Sequence, residues 1–192
     1  MALILIVLFL VLSVFLRVGI QWYRTNDFGL RAARLDAPLI EILPGIAFVL
    51  SFCVAFVVCF LGTFNRLTPL IELPILIRVF LFLIGLIGIA ITVVSQNQMG
   101  DSWRIGVNKK ETTDLKIHGL YARSRNPIYF GILLLWVGLC GTFIQPILIL
   151  SAITCWVSIE LIVRTTEEPY LQKVHGELFI KYVSRTNRYI PI

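Results

Sequence analysis

Long apolar segments alternate with shorter polar ones along the chain. A helix needs about 20 apolar residues to cross about 30 Å of hydrocarbon, and runs of that kind occupy Ala2–Ile20, Leu39–Leu61 and Pro74–Val94. A fourth apolar stretch, Ile128–Val163, is too long for one crossing and is interrupted by turn-forming residues at Gly141–Pro146. The pattern therefore predicts five transmembrane helices, of which the last two form a helical hairpin.

Composition agrees with this pattern. Of the 192 residues, 58% are hydrophobic and 15% are charged, whereas about a quarter of the residues in soluble domains are charged. We predict an all-α integral membrane protein with one domain over residues 1–192, made of three N-terminal spans in 1–95 and a catalytic part in 96–192. The first apolar run has neither a basic segment before it nor a small-residue cleavage site, so we expect a retained span and not a signal peptide.

Basic residues concentrate in alternate loops, which predicts the topology. The loop after the first span, the long stretch before the hairpin and the C-terminal tail are basic, while the opposite side has only Arg66 and Arg78. The basic group comprises Arg24, Arg31, Arg34, Arg104, Lys109, Lys110, Lys116, Arg123, Arg125, Lys173, Lys181, Arg185 and Arg188. We expect the N-terminus outside, and these loops and the C-terminus in the cytosol. The net charge of +6 is then explained by basic residues at the membrane edge, beside the membrane lipids, and requires no nucleic-acid partner.

The cysteines indicate packing and no metal. Cys53, Cys59, Cys140 and Cys155 all lie inside apolar stretches, and no two have the spacing of a metal-binding knuckle. We therefore expect neither a disulfide nor a bound metal ion.

Two polar blocks flank the predicted hairpin, at residues 96–127 and 164–192. Because a hairpin returns its two ends to the same side, these blocks are expected to meet. The first contains HGLYARSRNPIYFG, from His118 to Gly131. Here Asn126 and Pro127 have the form of a helix start, whose free N–H groups suit a ligand carboxylate. A plain helix cap and a solvated His118 are the simpler explanations, but they leave Tyr121, Arg125 and Tyr129 unexplained.

In the second block, Glu160, Arg164 and Glu167 share one helix face and Glu168 follows. Ionisable groups near membrane depth usually serve a site or an ion pair, and an interfacial Glu160–Arg164 salt bridge is the simpler explanation for that pair. Pro169 is expected to bend the helix.

Further along the tail, apolar positions recur at helical spacing and predict an amphipathic C-terminal helix, packed under the bundle or on lipid headgroups. These positions are Leu171, Val174, Leu178 and Tyr182.

The order of these motifs is similar to that of the isoprenylcysteine carboxyl methyltransferase family. The matching elements are G-x-Y-x-x-x-R-N-P-x-Y-x-G (Gly119–Gly131), E-E-x-x-L (Glu167–Leu171) and R-Y-I-P (Arg188–Pro191), with MGDSWRIGV (Met99–Val107) upstream. Most relatives have histidine where this chain has Asn126, and because asparagine does not titrate, we assign no proton transfer to that position.

The resemblance implies the donor S-adenosyl-L-methionine, held in a cytosolic pocket without a metal. It assigns catalytic roles to Arg164 and Glu167, and acceptor binding to Arg164. Gly131 is a further candidate for acceptor binding, because a small residue would let the lipid chain of the acceptor approach the helix closely. Gly131 and Gly138 equally suit close packing of a neighbouring helix. The implied donor-binding residues are Gln98, Leu115, Lys116, His118, Leu120, Tyr121, Arg125, Asn126, Pro127, Ile128, Tyr129, Glu167 and Glu168.

The acceptor implied by the resemblance is the C-terminal carboxylate of a prenylated cysteine, whose lipid enters from the bilayer. A free carboxyl group with a pKa near about 3.5 is ionised at neutral pH and needs no base, so orientation and removal of water suffice. A phospholipid amine methyltransferase is the main alternative and would need Glu168 or His118 as a base. A sterol-reductase-like nicotinamide enzyme and a non-enzymatic scaffold are further alternatives.

Overall fold

The structure, a computed structural model, describes residues 1–28, 39–103 and 114–190. Several residues used in the topology and motif predictions lie outside the described residues, and their predictions stay untested. These are Arg31, Arg34, Arg104, residues 105–107 of the upstream motif, Lys109, Lys110 and Pro191.

Within the described residues the protein is helical and contains no β-strand, which confirms the all-α prediction. Six helices are named here in chain order. They are α1 (Ala2–Thr25), α2 (Leu39–Thr63), α3 (Ile75–Met99), α4 (Pro127–Thr142), α5 (Pro146–His175) and α6 (Glu177–Val183). Short 3₁₀ turns at Gly100–Ser102 and Gly119–Ala122 follow α3 and precede α4, respectively.

Four of the described helices, α1, α2, α3 and α5, are long and apolar enough to cross a membrane. Helix α4 has 16 residues and therefore rises about 24 Å, short of the about 30 Å of a hydrocarbon core. The predicted helices are thus all present, but the count of five full spans is not confirmed.

The hairpin forms where it was predicted. Helix α4 ends at Thr142 and α5 begins at Pro146, whose ring suits the first turn of a helix. The turn is held by the preceding loop, since the Leu70 N–H donates to the carbonyl of Ile144 at 2.7 Å. Even so, α4 packs chiefly along α3, and α5 chiefly along α2. The first half of α1 fills the space between these pairs, with Leu5 and Ile6 fully buried.

Glycines allow α3 and α4 to approach closely. A Cβ added at Gly138 would lie 2.6 Å from the Cα of Gly85, and one at Gly131 would meet the backbone of Gly88 and the side chain of Thr92. Small residues serve this purpose at membrane helix crossings. The neighbouring helix therefore occupies the space beside Gly131, in agreement with a role in helix packing, and the acceptor binding assigned to this glycine stays a prediction.

The amphipathic tail is divided between two helices, which corrects the prediction of one. Helix α5 continues through Pro169 to His175, widened into a π-helical segment at Val163–Glu167. Proline lacks an N–H group, so no donor exists for the carbonyl four residues earlier. At Gly176 the backbone turns to a φ of 51°, a value that glycine adopts without strain. Leu171 and Val174 consequently belong to α5, and only the later positions belong to α6.

We expect Gly138→Ala to destabilise the protein, because its Cβ would overlap the backbone of α3 and not a flexible side chain. Overpacking of this kind costs about 1–3 kcal/mol. Gly19→Ala is the matched control, since a Cβ there meets nothing within 4 Å and alanine favours the helix. Thermal unfolding in detergent should show a lower midpoint for Gly138→Ala alone; equal midpoints would contradict the close crossing.

Candidate active site

The two polar blocks meet at one end of the bundle, as predicted. The Arg125 N–H donates to the carbonyl of Asn187 at 2.8 Å, and the Asn126 N–H donates to the carbonyl of Arg188 at 3.0 Å. Ser124 completes this short parallel pairing with the tail. The start of α4 is thus joined through its backbone to the last described residues of the chain.

Asn126 precedes α4 and Pro127 is its first residue, as the sequence predicted. The asparagine side chain forms no cap hydrogen bond to the described helix. Its Nδ2 instead donates to the carbonyl of Arg188 at 3.1 Å. The neutral amide at this position therefore binds the tail. Ile128, one residue into α4, faces α3, where its carbonyl accepts a hydrogen bond from the Thr92 hydroxyl at 3.4 Å.

Tyr121 is buried between α3 and the tail, with 7% of its surface exposed. Its hydroxyl donates to the carbonyl of Ser95 at 3.4 Å, and its own carbonyl accepts from the Tyr182 hydroxyl at 2.6 Å. Burial, and next the nearby Glu167, raise the pKa of Tyr121 well above the ordinary value, while burial raises the pKa of Tyr182 to about 12. Both phenols are therefore neutral hydrogen-bonding groups at physiological pH.

Gln98, in the last turn of α3, shapes the turn that carries Tyr121. Its Oε1 accepts from the Leu120 N–H at 2.8 Å. Gly119 has a φ of +64°, and a Cβ there would lie 2.5 Å from the same Oε1. Glycine is needed at this position for both its backbone angle and its closeness to Gln98. The exposed His118 precedes this turn and closes it with its carbonyl, which accepts from the Tyr121 N–H at 3.2 Å.

Two adjoining clefts open at this end of the bundle. One, of about 350 Å³, is lined by predicted donor-binding residues, namely Gln98, Leu115, Lys116 and His118, together with Ile117 and Gly119. The other, of about 830 Å³, lies between the segment 114–122 and the tail, whose Val174, Leu178 and Tyr182 contribute to its wall. Leu115 and Ile117 border both clefts. Volumes of this order suit a cofactor-sized ligand.

Glu167 and Tyr129 connect the two hairpin helices. The Tyr129 hydroxyl donates to the Oε1 of Glu167 at 2.7 Å. Glu167 is the last residue of the π-helical segment of α5, and Tyr129 lies in the first turn of α4. A carboxylate has two oxygens and about four acceptor positions, so this hydrogen bond leaves acceptor capacity for a cationic ligand.

Glu168, the next residue, has different partners. The Nε and Nη2 of Arg188 contact its two carboxylate oxygens at 2.9 and 2.8 Å, and the Nη2 of Arg125 lies 3.3 Å from Oε1. Arg125 Nη1 also donates to the carbonyls of Thr186 and Val183. We call Arg125, Glu168 and Arg188 the ion cluster. The structure therefore places two predicted donor-binding residues, Arg125 and Glu168, in a connection between the hairpin and the tail.

Arg164 pairs with Glu160 through its Nε, one helical turn away. This contact agrees with the simpler explanation of these two residues, an interfacial Glu160–Arg164 salt bridge. The Arg164 side chain is nevertheless 58% exposed, so it stays accessible to an acceptor. The acceptor role predicted for it is not tested by this arrangement.

The contributions of two arginines were not predicted from the sequence. Arg188 was recognised only as a basic tail residue within a motif, and its pairing with Glu168 depends on the tertiary structure. Arg17 was passed over inside an apolar run, although a lone ionisable residue in a predicted span is a signal of function. It is 2% exposed and contacts the segment that follows α3.

Among the described residues, no group of three or more His, Cys, Asp or Glu side chains is arranged to hold a metal ion. The four cysteines are free thiols. The expectation of a reaction without a bound metal stays a prediction.

Helices long enough to cross a membrane, with polar residues gathered at one end, define a multi-pass membrane protein. A model of the phospholipid methyltransferase family matches residues 75–178, more than half of the chain, and the protein belongs to that family. The family is part of the isoprenylcysteine carboxyl methyltransferase superfamily. No curated protein matches the chain. The protein is therefore a membrane methyltransferase; the match does not distinguish a prenylcysteine acceptor from a phospholipid.

We expect Glu168→Ala to destabilise the protein, because it leaves two largely buried arginines, with side chains 11% and 26% exposed, without their shared carboxylate. Because these side chains are partly exposed, the loss in the free energy of unfolding should be smaller than for a fully buried ion pair, at about 1–3 kcal/mol. Glu177→Ala is the matched control, because Glu177 is exposed at the start of α6, where an acidic side chain contributes only about 0.3–1 kcal/mol. Denaturant unfolding in detergent should separate the two variants; equal losses would contradict a structural role for the ion cluster.

Proposed function

We propose that the protein transfers the methyl group of S-adenosyl-L-methionine to the C-terminal carboxylate of a prenylated cysteine, forming a methyl ester. The observation that carries this proposal is the separation of the two adjacent glutamates. Glu168 is held by two arginines, whereas Glu167 contacts only a neutral phenol among its identified partners. Glu167 would therefore be available to a cationic ligand, while Glu168 is held in the ion cluster and is not available as a base. This arrangement suits a reaction that needs no base.

The residues at this end of the bundle fit the donor in chemistry, although Glu167 and Tyr121 line neither of the two clefts. S-adenosyl-L-methionine carries a sulfonium, an amino group and a carboxylate, and when bound it supplies an electrophilic methyl group. Glu167 would attract its positive charge, while Leu115 and Lys116 would contact it from the wall of the smaller cleft. The buried, neutral Tyr121 would offer a hydrogen bond without competing charge.

The acceptor carboxylate would be held by the exposed Arg164, whose guanidinium suits a carboxylate in geometry and charge. Arg164 and Glu167 belong to the same π-helical segment, so one element would present both reactants. The nucleophile is already ionised at neutral pH, and the protein's contribution is to align it and to exclude water. The lipid chain would reach this end of the bundle from the bilayer, and the donor from the cytosol.

Methyl transfer to the amine of an ethanolamine phospholipid is the second candidate, and the description of the matched family favours it. An ammonium group must lose a proton before it attacks. Of the two bases that the sequence analysis considered, Glu168 is occupied by Arg125 and Arg188, which leaves the exposed His118. The family match also argues against a nicotinamide-dependent reductase, and a titration with S-adenosylhomocysteine against NADPH tests that alternative directly.

We expect N-acetyl-S-farnesylcysteine to be methylated, and its methyl ester and the non-prenylated analogue to be inert. The rate with a carboxylate acceptor should not rise between pH 6 and about pH 8, because the acceptor is fully ionised there. An amine acceptor would instead react faster as pH rises towards its pKa, near about 8–10. Transfer of radiolabelled methyl groups to each acceptor gives the answer. Methylation of phosphatidylethanolamine without methylation of farnesylcysteine would establish the second candidate.

We expect Glu167→Ala to weaken donor binding and Arg164→Ala to impair mainly the use of the acceptor. A hydrogen bond to a charged group contributes about 1.5–3 kcal/mol, or roughly tenfold to a hundredfold in affinity. The dissociation constant of S-adenosylhomocysteine and the KM of farnesylcysteine, measured for both variants, separate the two effects. If both variants weaken the donor equally, the assigned division of roles is wrong.

A further inference from the structure

A polar contact joins α1 to the segment that follows α3. The two residues that form it are more than 80 positions apart in the sequence. The Nη2 of Arg17 donates to the carbonyl of Gly100 at 2.6 Å. Its guanidinium lies over the Trp103 ring, 4.7 Å from the ring centroid. One turn earlier on each helix, the Nε2 of Gln96 donates to the carbonyl of Ser13 at 2.9 Å. Arg17 itself lies outside the residues that the family model matches.

The path of α1 is adapted to this contact. Phe9, Ser13, Arg17 and Gln21 follow one another at steps of four and are all at least 95% buried. In a regular helix each step of four would rotate the side chain by about 40° around the axis. The π-helical segment Leu10–Phe15, which has more residues per turn, offsets this rotation. Such widened turns are frequent at functional positions, and here one keeps a costly buried guanidinium facing the end of α3.

The contacted segment is continuous with the wall of the smaller cleft. Gly100 directly follows α3, and Gln98 lies in the last turn of that helix. The Oε1 of Gln98 accepts from the Leu120 N–H at 2.8 Å, and both Gln98 and Gly119 line the cleft. A shift of the end of α3 would therefore be transmitted to the Gly119–Ala122 turn, which carries Tyr121.

We propose that Arg17 is a positioning residue for the donor site. It fixes the end of α3 by the hydrogen bond to Gly100 and the contact with Trp103, and thereby sets the position of Gln98 against the Gly119–Ala122 turn. The inference rests on the proposed donor binding for its functional consequence. The structural consequence of the Arg17 contact is that the Leu120 N–H is protected from hydrogen exchange, and this consequence does not depend on the proposed donor binding.

The test compares Arg17→Met and Arg17→Lys with the wild type in the full-length protein. Methionine keeps most of the length of the side chain but donates no hydrogen bond, whereas lysine keeps the charge and can still donate hydrogen bonds, but without the planar guanidinium. Arg66→Met is the control for loss of a basic residue, because Arg66 is exposed in the loop between α2 and α3. We measure the dissociation constant of S-adenosylhomocysteine, the KM of the acceptor and hydrogen exchange of the peptide that contains Leu120.

For Arg17→Met we expect at least about fivefold weaker binding of S-adenosylhomocysteine, the lower end of typical coupling between sites. The acceptor KM should stay unchanged and the Leu120 amide should exchange faster, with partial recovery in Arg17→Lys. Unchanged exchange at Leu120, or a lower melting temperature with unchanged donor affinity, would overturn the inference. If Arg17→Met does not fold, the same readouts on Arg17→Lys decide. If the wild type binds no S-adenosylhomocysteine, the proposed function fails, and the exchange at Leu120 still tests the positioning role.

Discussion

The site depends on the ion cluster of Arg125, Glu168 and Arg188. These residues belong to three segments that are separate in sequence: the residues before α4, the last part of α5 and the tail after α6. Largely buried charges are costly when unpaired, so the cluster favours the one arrangement in which all three segments meet. Backbone hydrogen bonds between residues 125–126 and 187–188 also join the start of α4 to the tail. The cluster thereby joins the hairpin and the tail around the predicted donor site.

Two adjacent glutamates acquire different roles because successive residues on a helix point in different directions. Glu168 faces the arginines of the tail, and Glu167 faces Tyr129 of the partner helix. The π-helical segment that ends at Glu167 sets these directions, and Pro169 supplies a local cause for that segment, since it lacks the N–H that a regular helix would use.

The helices that carry the site are held by contacts of a different kind. Glycines on α3 and α4 bring these two helices together, and the buried face of α1 packs against both pairs of helices. Hydrophobic burial cannot hold helices together inside lipid, so close van der Waals packing and a few polar contacts must do so. The contact of Arg17 with Gly100 is one of these polar contacts. Because Gln98 at the end of α3 contacts the turn that carries Tyr121, the position of this helix end also sets the position of the turn.

The sequence by itself determined the membrane class, the order of the helices, the hairpin turn and the meeting of the two polar blocks. These follow from hydrophobic length, turn chemistry and the geometry of a hairpin, all of which are local or pairwise. The tertiary structure decided which polar residue pairs with which. Arg125 and Glu168 were predicted at the donor without their partners, and the structure shows that they pair with each other and, for Glu168, with Arg188. Gly131 packs on α3, and Arg17 reaches a carbonyl 83 positions away. Such partners depend on the relative rotation and depth of whole helices, which packing sets and which no short stretch of residues encodes.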